Sequence, residues 1–378
     1  MYKLENKFVS INAEDIQSVT DSLRQKQLAG TADVVKTYEQ KLSEYFAAKY
    51  AHACNSGTAG IELILRALGV DENSEVLLPP TGPVMCVLPI IAIGAKPVFV
   101  DVDSSSTFGI DIEDLQRKIT KKTKALLVVP MWGYPIEMSE IRKICQEKRI
   151  ILIEDASHCH GSKLGEHYVG TLADLSIFST QERKLVTTGE GGFVLTNTPE
   201  ISQVVQEMRN FGRATTNVAY FDRKVDDFGV RFGLNFRLSA TNAALGISQL
   251  EKLDNKIKQR TRNAEYIRES LNNCKDIEEI PILSHAIPNY YSIVFKIKNM
   301  TNNAVFGKYL DEHGIISDTY RFNYMPLYQM PLFSSYVSSC PNAESVTKSI
   351  FTLPTHEGLI QKDLDHIIST VKDFYANT

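Results

Sequence analysis

Long hydrophobic runs are missing from this sequence. Its most apolar stretch, Val87 to Val100, is interrupted by Pro89, Gly94, Lys96 and Pro97, so it falls short of a membrane-spanning helix and no membrane partner is expected. The opening residues, Met1-Tyr-Lys-Leu-Glu-Asn-Lys7, lack the apolar core of a secretory signal. An excess of one charge sign is also missing: 41 basic against 45 acidic residues leave a formal charge of −4. That gives no electrostatic footing for nucleic acid or an anionic membrane. The six cysteines, Cys54, Cys86, Cys145, Cys159, Cys274 and Cys340, are scattered with no Cys-x-x-Cys pair. Such spacing argues against a structural zinc site or a disulfide framework and fits reduced thiols in the cytoplasm.

What is present describes a globular chain with ample core. Apolar residues make up 43% and charged residues 23% of the 378 positions. At about 150 residues per domain, the length suggests one large domain and a smaller one.

The first fifty residues predict two helices, Asp15 to Gln27 and Val34 to Ala47, with Gly30 and Thr31 between them. Short β-rich runs follow at Tyr50–Cys54, Glu75–Leu78, Pro97–Val100, Ala125–Val129, Ile150–Ile153, Leu175–Phe178 and Phe193–Thr196. Helical stretches, among them Thr58–Leu68, Ile112–Ile119 and Met138–Glu147, separate them. This alternation predicts an α/β fold with a mostly parallel seven-stranded sheet flanked by helices. Beyond about residue 200 strands thin out. Ala240 to Leu271 reads as one long helix, followed by a strand at Tyr291–Ile297 and helices at Asn303–His313, Ala343–Phe351 and Lys362–Tyr375. The expected division is a large domain at 1–250, including the N-terminal helices, and a small α+β domain at 251–378.

Four segments carry candidate chemistry at strand ends or helix starts, where open α/β sheets place ligands. In Asn55-Ser56-Gly57-Thr58 a small-residue turn enters a helix, exposing N–H groups suited to a phosphate; taken alone, such a turn is more often only an N-cap. In Ile150-Ile-Leu-Ile-Glu154-Asp155-Ala-Ser-His158-Cys-His160-Gly161 two acids stand at the C-terminal edge of a buried strand. A carboxylate there can hold a protonated heterocyclic nitrogen, or it can cap the next helix. The two histidines are crowded into one turn with no partner cluster, so no metal is expected.

The third segment runs from Phe178-Ser179 through Lys184 to the glycine-dense turn Thr187-Thr-Gly-Glu-Gly-Gly192. If Lys184 points inward, desolvation lowers its pKa and makes it a candidate Schiff-base nucleophile; a surface lysine beside a turn is the alternative. In the fourth, Gly233-Leu-Asn235-Phe-Arg237-Leu-Ser239, the alternate residues Asn235 and Arg237 face the same way and could meet an anion. Ser239 there is a candidate N-cap.

In order and spacing these segments resemble the pyridoxal-phosphate sugar aminotransferases of the DegT–DnrJ–StrS group, on the aspartate aminotransferase (type I) fold. The resemblance extends over Gly94-Ala-Lys-Pro-Val-Phe-Val-Asp-Val-Asp103, Gln249-Leu-Glu-Lys-Leu-Asp254, Pro326-Leu-Tyr-Gln-Met-Pro331 and Leu353-Pro354. Asp155 and Lys184 lie 29 residues apart, with Ser179 five before the lysine, as in that family.

The resemblance implies pyridoxal 5'-phosphate as cofactor, held as an internal aldimine on Lys184, which then moves the proton between substrate and cofactor carbons. It implies that Asp155 keeps the ring nitrogen protonated. Ser56, Gly57, Thr58 and Ser179 would bind the phosphate, and Asn235 would reach it from the neighbouring subunit of a homodimer with shared active sites. His158 would sit near the ring and its 3-hydroxyl, where the family commonly has Gln or Glu, and Arg237 would help bind the donor carboxylate.

The implied reaction moves an amino group from glutamate or glutamine to a keto-sugar (nucleotide-linked, free or phosphorylated) or a cyclitol ketone. The alternatives are a sugar dehydratase or other lyase on the same fold, or a non-catalytic binding or regulatory relative. Lys184 counts against the dehydratases, which carry His there, and Lys184 with Asp155 counts against loss of turnover. Three departures stand out: Pro83 replaces the aromatic residue that stacks on the ring, Pro130 stands where His is frequent, and the usual His near Tyr320 is missing. They point to a substrate outside the best-known sugar-nucleotide pattern.

Overall fold

The computed structural model describes residues 3–26, 28–103, 108–213, 231–298, 303–336 and 338–376. Helix α1 (Ala13–Arg24) begins at a reciprocal capping box, in which Asn12 and Asp15 each accept the other's backbone N–H. It ends before Gln27, which lies outside the described residues. Helix α2 (Asp33–Phe46) buries Val35, Tyr38, Leu42 and Phe46, spaced along one face, and stops at Ala47 in the left-handed region.

The alternating part then runs β1 (Tyr50–Cys54), α3 (Gly57–Ala67), β2 (Glu75–Leu78), α4 (Leu88–Ala92), β3 (Lys96–Phe99), α5 (Ile112–Lys118) and β4 (Thr123–Val128). It continues through α6 (Ser139–Lys148), β5 (Ile151–Asp155), the small strands β6 (Lys163–Leu164) and β7 (His167–Tyr168), β8 (Leu175–Ser179) and β9 (Gly192–Thr196). Seven of these strands form one sheet in the order β1-β9-β8-β5-β4-β2-β3. The run from β8 to β3 is parallel, while β9 pairs antiparallel with both neighbours. The mostly parallel seven-stranded sheet is therefore as expected, and the type I fold carries it. Strands β2 and β9 are buried at every position, which explains why they read as continuous apolar runs rather than alternating ones.

Beyond residue 200 the structure departs from the sequence reading. Helix α7 (Pro199–Met208), with Pro199 in its first turn, was not anticipated. The single long helix is two, α8 (Ala240–Glu251) and α9 (Leu253–Leu271). The break falls at Lys252, whose ammonium turns toward Asp15 and Asn12. Ser239 caps α8 by accepting the N–H of Asn242.

The remainder holds β10 (Ile277–Glu279), β11 (Ala286–Ile287), β12 (Ile293–Ile297), α10 (Ala304–Glu312), α11 (Asp318–Arg321), α12 (Pro341–Ser349), β13 (Ile350–Leu353) and α13 (Gln361–Ala376). A second sheet, β10-β12-β13, is antiparallel throughout. Strand β11 joins the β6–β7 hairpin of the first part. The start of the chain packs on this last part. Leu4 pairs with Ile315, and the Phe8 ring stacks on His356 at 4.9 Å.

Candidate active site

Strand β5 ends in Glu154-Asp155, and the pleat sends their side chains to opposite sides. Glu154 is buried and accepts the N–H of Gly170 at 2.7 Å, and burial pushes its pKa up to about 7. It serves the fold. Asp155 accepts the N–H of Ser157 on Oδ1 and the thiol of Cys86 on Oδ2, each at 3.1 Å. Cys86 arrives through the short 3-10 turn Val84–Cys86 that follows Pro83, so the segment that lacks an aromatic residue supplies a hydrogen-bond donor instead.

At the end of β1, Ser56 caps α3 by accepting the N–H of Ala59 at 3.0 Å. Capping and anion binding are compatible here. The N–H groups of Gly57 and Thr58 lie in the first turn, with no carbonyl four residues back in the helix, and the helix dipole points at them. Gly57 is required by proximity, since a Cβ on it would stand 2.9 Å from the Cβ of Ser179 at the end of β8. The turn and Ser179 therefore close on each other only because the Cβ is missing. Four of the expected phosphate-binding residues, Ser56, Gly57, Thr58 and Ser179, are brought together.

Lys184 follows Ser179 in a loop pinned at several points. Its N–H donates to Gln181 O at 2.8 Å, Thr180 and Thr188 share a hydroxyl contact of 2.6 Å, and Lys256 Nζ donates to Leu185 O at 2.7 Å. Gly191 allows this closure, because a Cβ there would lie 2.6 Å from Thr180 Oγ1. Burial pulls the Lys184 pKa down to about 8, against the opposing charges of Asp155 and Asp318. An amine so placed is a usable nucleophile and base near neutrality.

His158 lies beside it. Trp132 N–H donates to His158 Nδ1 at 3.3 Å, which leaves the ring proton on Nε2. Burial, then Lys184 and His160, push its pKa well below the usual value, so the ring is neutral. The imidazole stacks on Tyr291, centroids 4.3 Å apart and 7° from parallel, and the Lys184 ammonium lies 5.2 Å from that same tyrosine ring.

The remaining two expected site residues adjoin Asn55, the residue before Ser56. Asn235 is exposed; its carbonyl accepts from Asn55 and its side-chain oxygen from Arg237 Nε at 3.1 Å. Arg237 also donates to Asn210 and lies over the Phe211 ring at 4.9 Å. Asn235 and Arg237 do face the same way, as their alternate spacing implied.

Sequence reasoning missed Cys86, Tyr291 and Asp318 as site residues. A lone cysteine after Pro83, a tyrosine two residues before a strand and an acid in a four-residue helix carry no local signal. Among the described residues no group of His, Cys, Asp and Glu could hold a metal ion.

The residues fit pyridoxal phosphate: a glycine-made cradle for an anion, a carboxylate at a strand end for a ring nitrogen, and a lysine of lowered pKa that feels that carboxylate's charge. Residues 9–372 match the DegT/DnrJ/EryC1/StrS aminotransferase family. The chain is 27% identical over 371 residues to GDP-perosamine synthase of Escherichia coli O157:H7, covering 97% of each. It is 29% identical to a UDP-4-amino-4,6-dideoxy-N-acetyl-beta-L-altrosamine transaminase of Campylobacter jejuni, covering 96% of this chain and 95% of that one. Among solved structures, Helicobacter pylori PseC, an aminotransferase involved in pseudoaminic acid biosynthesis, superposes with a TM-score of 0.90 at 25% identity over 100% of each chain.

Proposed function

The chain belongs to the DegT/DnrJ/EryC1/StrS aminotransferase family, and from that premise we propose that it moves an amino group from glutamate or glutamine to a ketone on a sugar, with pyridoxal phosphate bound at Lys184. It is a sugar aminotransferase by its relatives; the donor, the cofactor linkage and the residue roles below are our reading. The observation that carries it is the convergence of Asp155, Lys184 and the Gly57–Ser179 cradle.

When bound, pyridoxal phosphate supplies a ring that draws off the electron pair left when a substrate carbon loses its proton. The chain's residues do the rest. Lys184 Nζ would take the proton from the substrate carbon and give it up to the cofactor carbon on the far side of the shared nitrogen. Asp155 pairs with the protonated ring nitrogen and keeps it charged. The Ser56 and Ser179 hydroxyls and the N–H groups of Gly57 and Thr58 hold the phosphate. His158 offers a neutral Nε2–H to the 3-oxygen.

The amino sugars named for two relatives carry a nucleotide, and a nucleotide-linked keto-sugar is the acceptor to test first. Asn235 fits a role in a second copy's site, being exposed beside the equally exposed Phe232 and Leu234, so a homodimer with shared sites is part of the proposal. Arg237 would help bind the donor carboxylate. A division at 250/251 fits the break between α8 and α9 at Lys252. The six free cysteines suit a reducing cytoplasm, and no helix among the described residues is long and apolar enough to cross a membrane.

The test is to load the purified protein with pyridoxal phosphate, reduce with borohydride and map the modified peptide, then add glutamate or glutamine and measure the released keto acid. Label on Lys184 and a stoichiometric keto acid are expected, and Asp155→Asn should lower the keto-acid rate by about a hundredfold or more. Label elsewhere, or no keto acid from either donor, overturns the reading.

A further inference from the structure

The two ends of the proposed cofactor site are joined through one side chain. Ser157 follows Asp155 by two positions, and its N–H donates to Asp155 Oδ1 at 3.1 Å. Its Oγ accepts the backbone N–H of Ser179 at 2.9 Å. The first bond holds the carboxylate assigned to the ring nitrogen, and the second holds a residue assigned to the phosphate. Ser157 is half-buried, as Ser179 is.

The second bond is not one the sheet makes unaided. The parallel register of β5 with β8 ends at Asp155 and Ile177, and Ala156 N–H extends it by one bond, to Ile177 O at 2.9 Å. Successive N–H groups of a strand point to alternate sides, so the next one turned toward β5 is that of Ser179. By then β5 has ended. The Ser157 hydroxyl stands in for the carbonyl that a longer strand would have offered. Without that oxygen the Ser179 N–H loses its acceptor, a loss that backbone groups avoid.

Ser179 is thus fixed from two sides. Gly57 closes on its Cβ, as a methyl there would stand 2.9 Å away, and Ser157 holds its N–H. Asp155 is likewise held on both carboxylate oxygens, by Ser157 and by Cys86. Ser157 is common to both sets. A ligand with an anion at one end and a ring nitrogen at the other needs those two anchors a set distance apart.

We infer that Ser157 is a positioning residue that sets the span between the phosphate-binding Ser179 and the ring-nitrogen carboxylate of Asp155. It acts through these two neighbours and takes no part in bond making. The inference rests on the pyridoxal-phosphate reading of the site.

The experiment compares pyridoxal phosphate with pyridoxal, which has the ring and aldehyde but no phosphate, by equilibrium dialysis against the full chain. The unmodified protein should bind the phosphate ester about a hundredfold or more tighter, as several hydrogen bonds to a charged group allow. Ser157→Ala removes Oγ but keeps the N–H to Asp155. It should lower that preference by about five- to tenfold and leave pyridoxal binding as it was. Ser157→Cys fills the same place with a weak acceptor and should behave as Ser157→Ala does. A general loosening of the fold would weaken both ligands alike, and that outcome overturns the inference. A full preference retained in either variant overturns it too. Equal binding of the two ligands by the unmodified protein would mean that the cradle holds no phosphate, and the reading of the site would fall with the inference.

Discussion

The Cys86 thiol donates to Oδ2 of Asp155 across 3.1 Å. Burial, with the neighbouring carboxylate, pushes the Cys86 thiol pKa well above its ordinary value. A group that would otherwise be a nucleophile is thereby held as a donor to the carboxylate we assign to the ring nitrogen.

Two outcomes are expected of that pairing. In the native protein iodoacetamide should label Cys274, which is only partly buried, well before Cys86, as peptide mapping over a time course will read. Cys86→Val should cost the cofactor-free protein about 1.5–3 kcal/mol in urea unfolding, the worth of a hydrogen bond to a charged group, while Cys86→Ser recovers most of it. Equal losses in both variants would mean the bond contributes nothing.

Lys184 should accept pyridoxal phosphate through its neutral amine, so the loading rate of cofactor-free protein should rise with pH, with its midpoint at about 8. Asp155 raises the amine's pKa by its charge, and Asp155→Asn should therefore move the midpoint to lower pH. Stopped-flow absorbance across pH 6 to 10 measures it, and a midpoint near the ordinary lysine value of about 10.4 contradicts the placement.

Glu154 has a folded pKa of about 7 against an ordinary 4.5. The folded state then binds more protons than the unfolded one between those values, so this residue's contribution to stability falls as pH rises through that window and its cost is complete above it. Glu154→Gln, which can still accept the Gly170 N–H, should gain roughly 2–3 kcal/mol at pH 8 and nothing below the ordinary pKa. Urea titrations at pH 8 and pH 4 separate the two regimes; equal differences at both would assign the effect to packing.

Gly57→Ala should disturb the cradle specifically. The added methyl meets Ser179 at 2.9 Å, at a cost of about 1–3 kcal/mol for overpacking, and cofactor affinity should fall by roughly tenfold or more as the turn and Ser179 separate. Equilibrium dialysis of pyridoxal phosphate against the variant checks it, and unchanged affinity would place the phosphate elsewhere.

The parts of the molecule that speak locally were legible. Buried parallel strands such as Glu75–Leu78 and Ile151–Asp155 announce themselves as apolar runs because both their faces are covered. Lys184 stood out because a glycine-dense turn follows it at once. What stayed hidden depends on distance along the chain. Asn6 and Asp318 are 312 residues apart, and the stacking of His158 on Tyr291 joins two separate segments. The interruption at Lys252 was invisible because helical periodicity runs straight through it, and β13 follows α12 without a turn to mark it.

The pairing of Leu4 with Ile315 and of Asn6 with Asp318 also bears on how the molecule is made. A ribosome releases the first segment long before the one it must meet, and contacts of such sequence separation slow folding. The phosphate cradle, drawn from residues 56 to 179, can assemble on a nascent chain. The contacts that Leu4 and Asn6 make with Ile315 and Asp318 form only when synthesis is nearly complete, so the last part of the chain locks in place a segment made first.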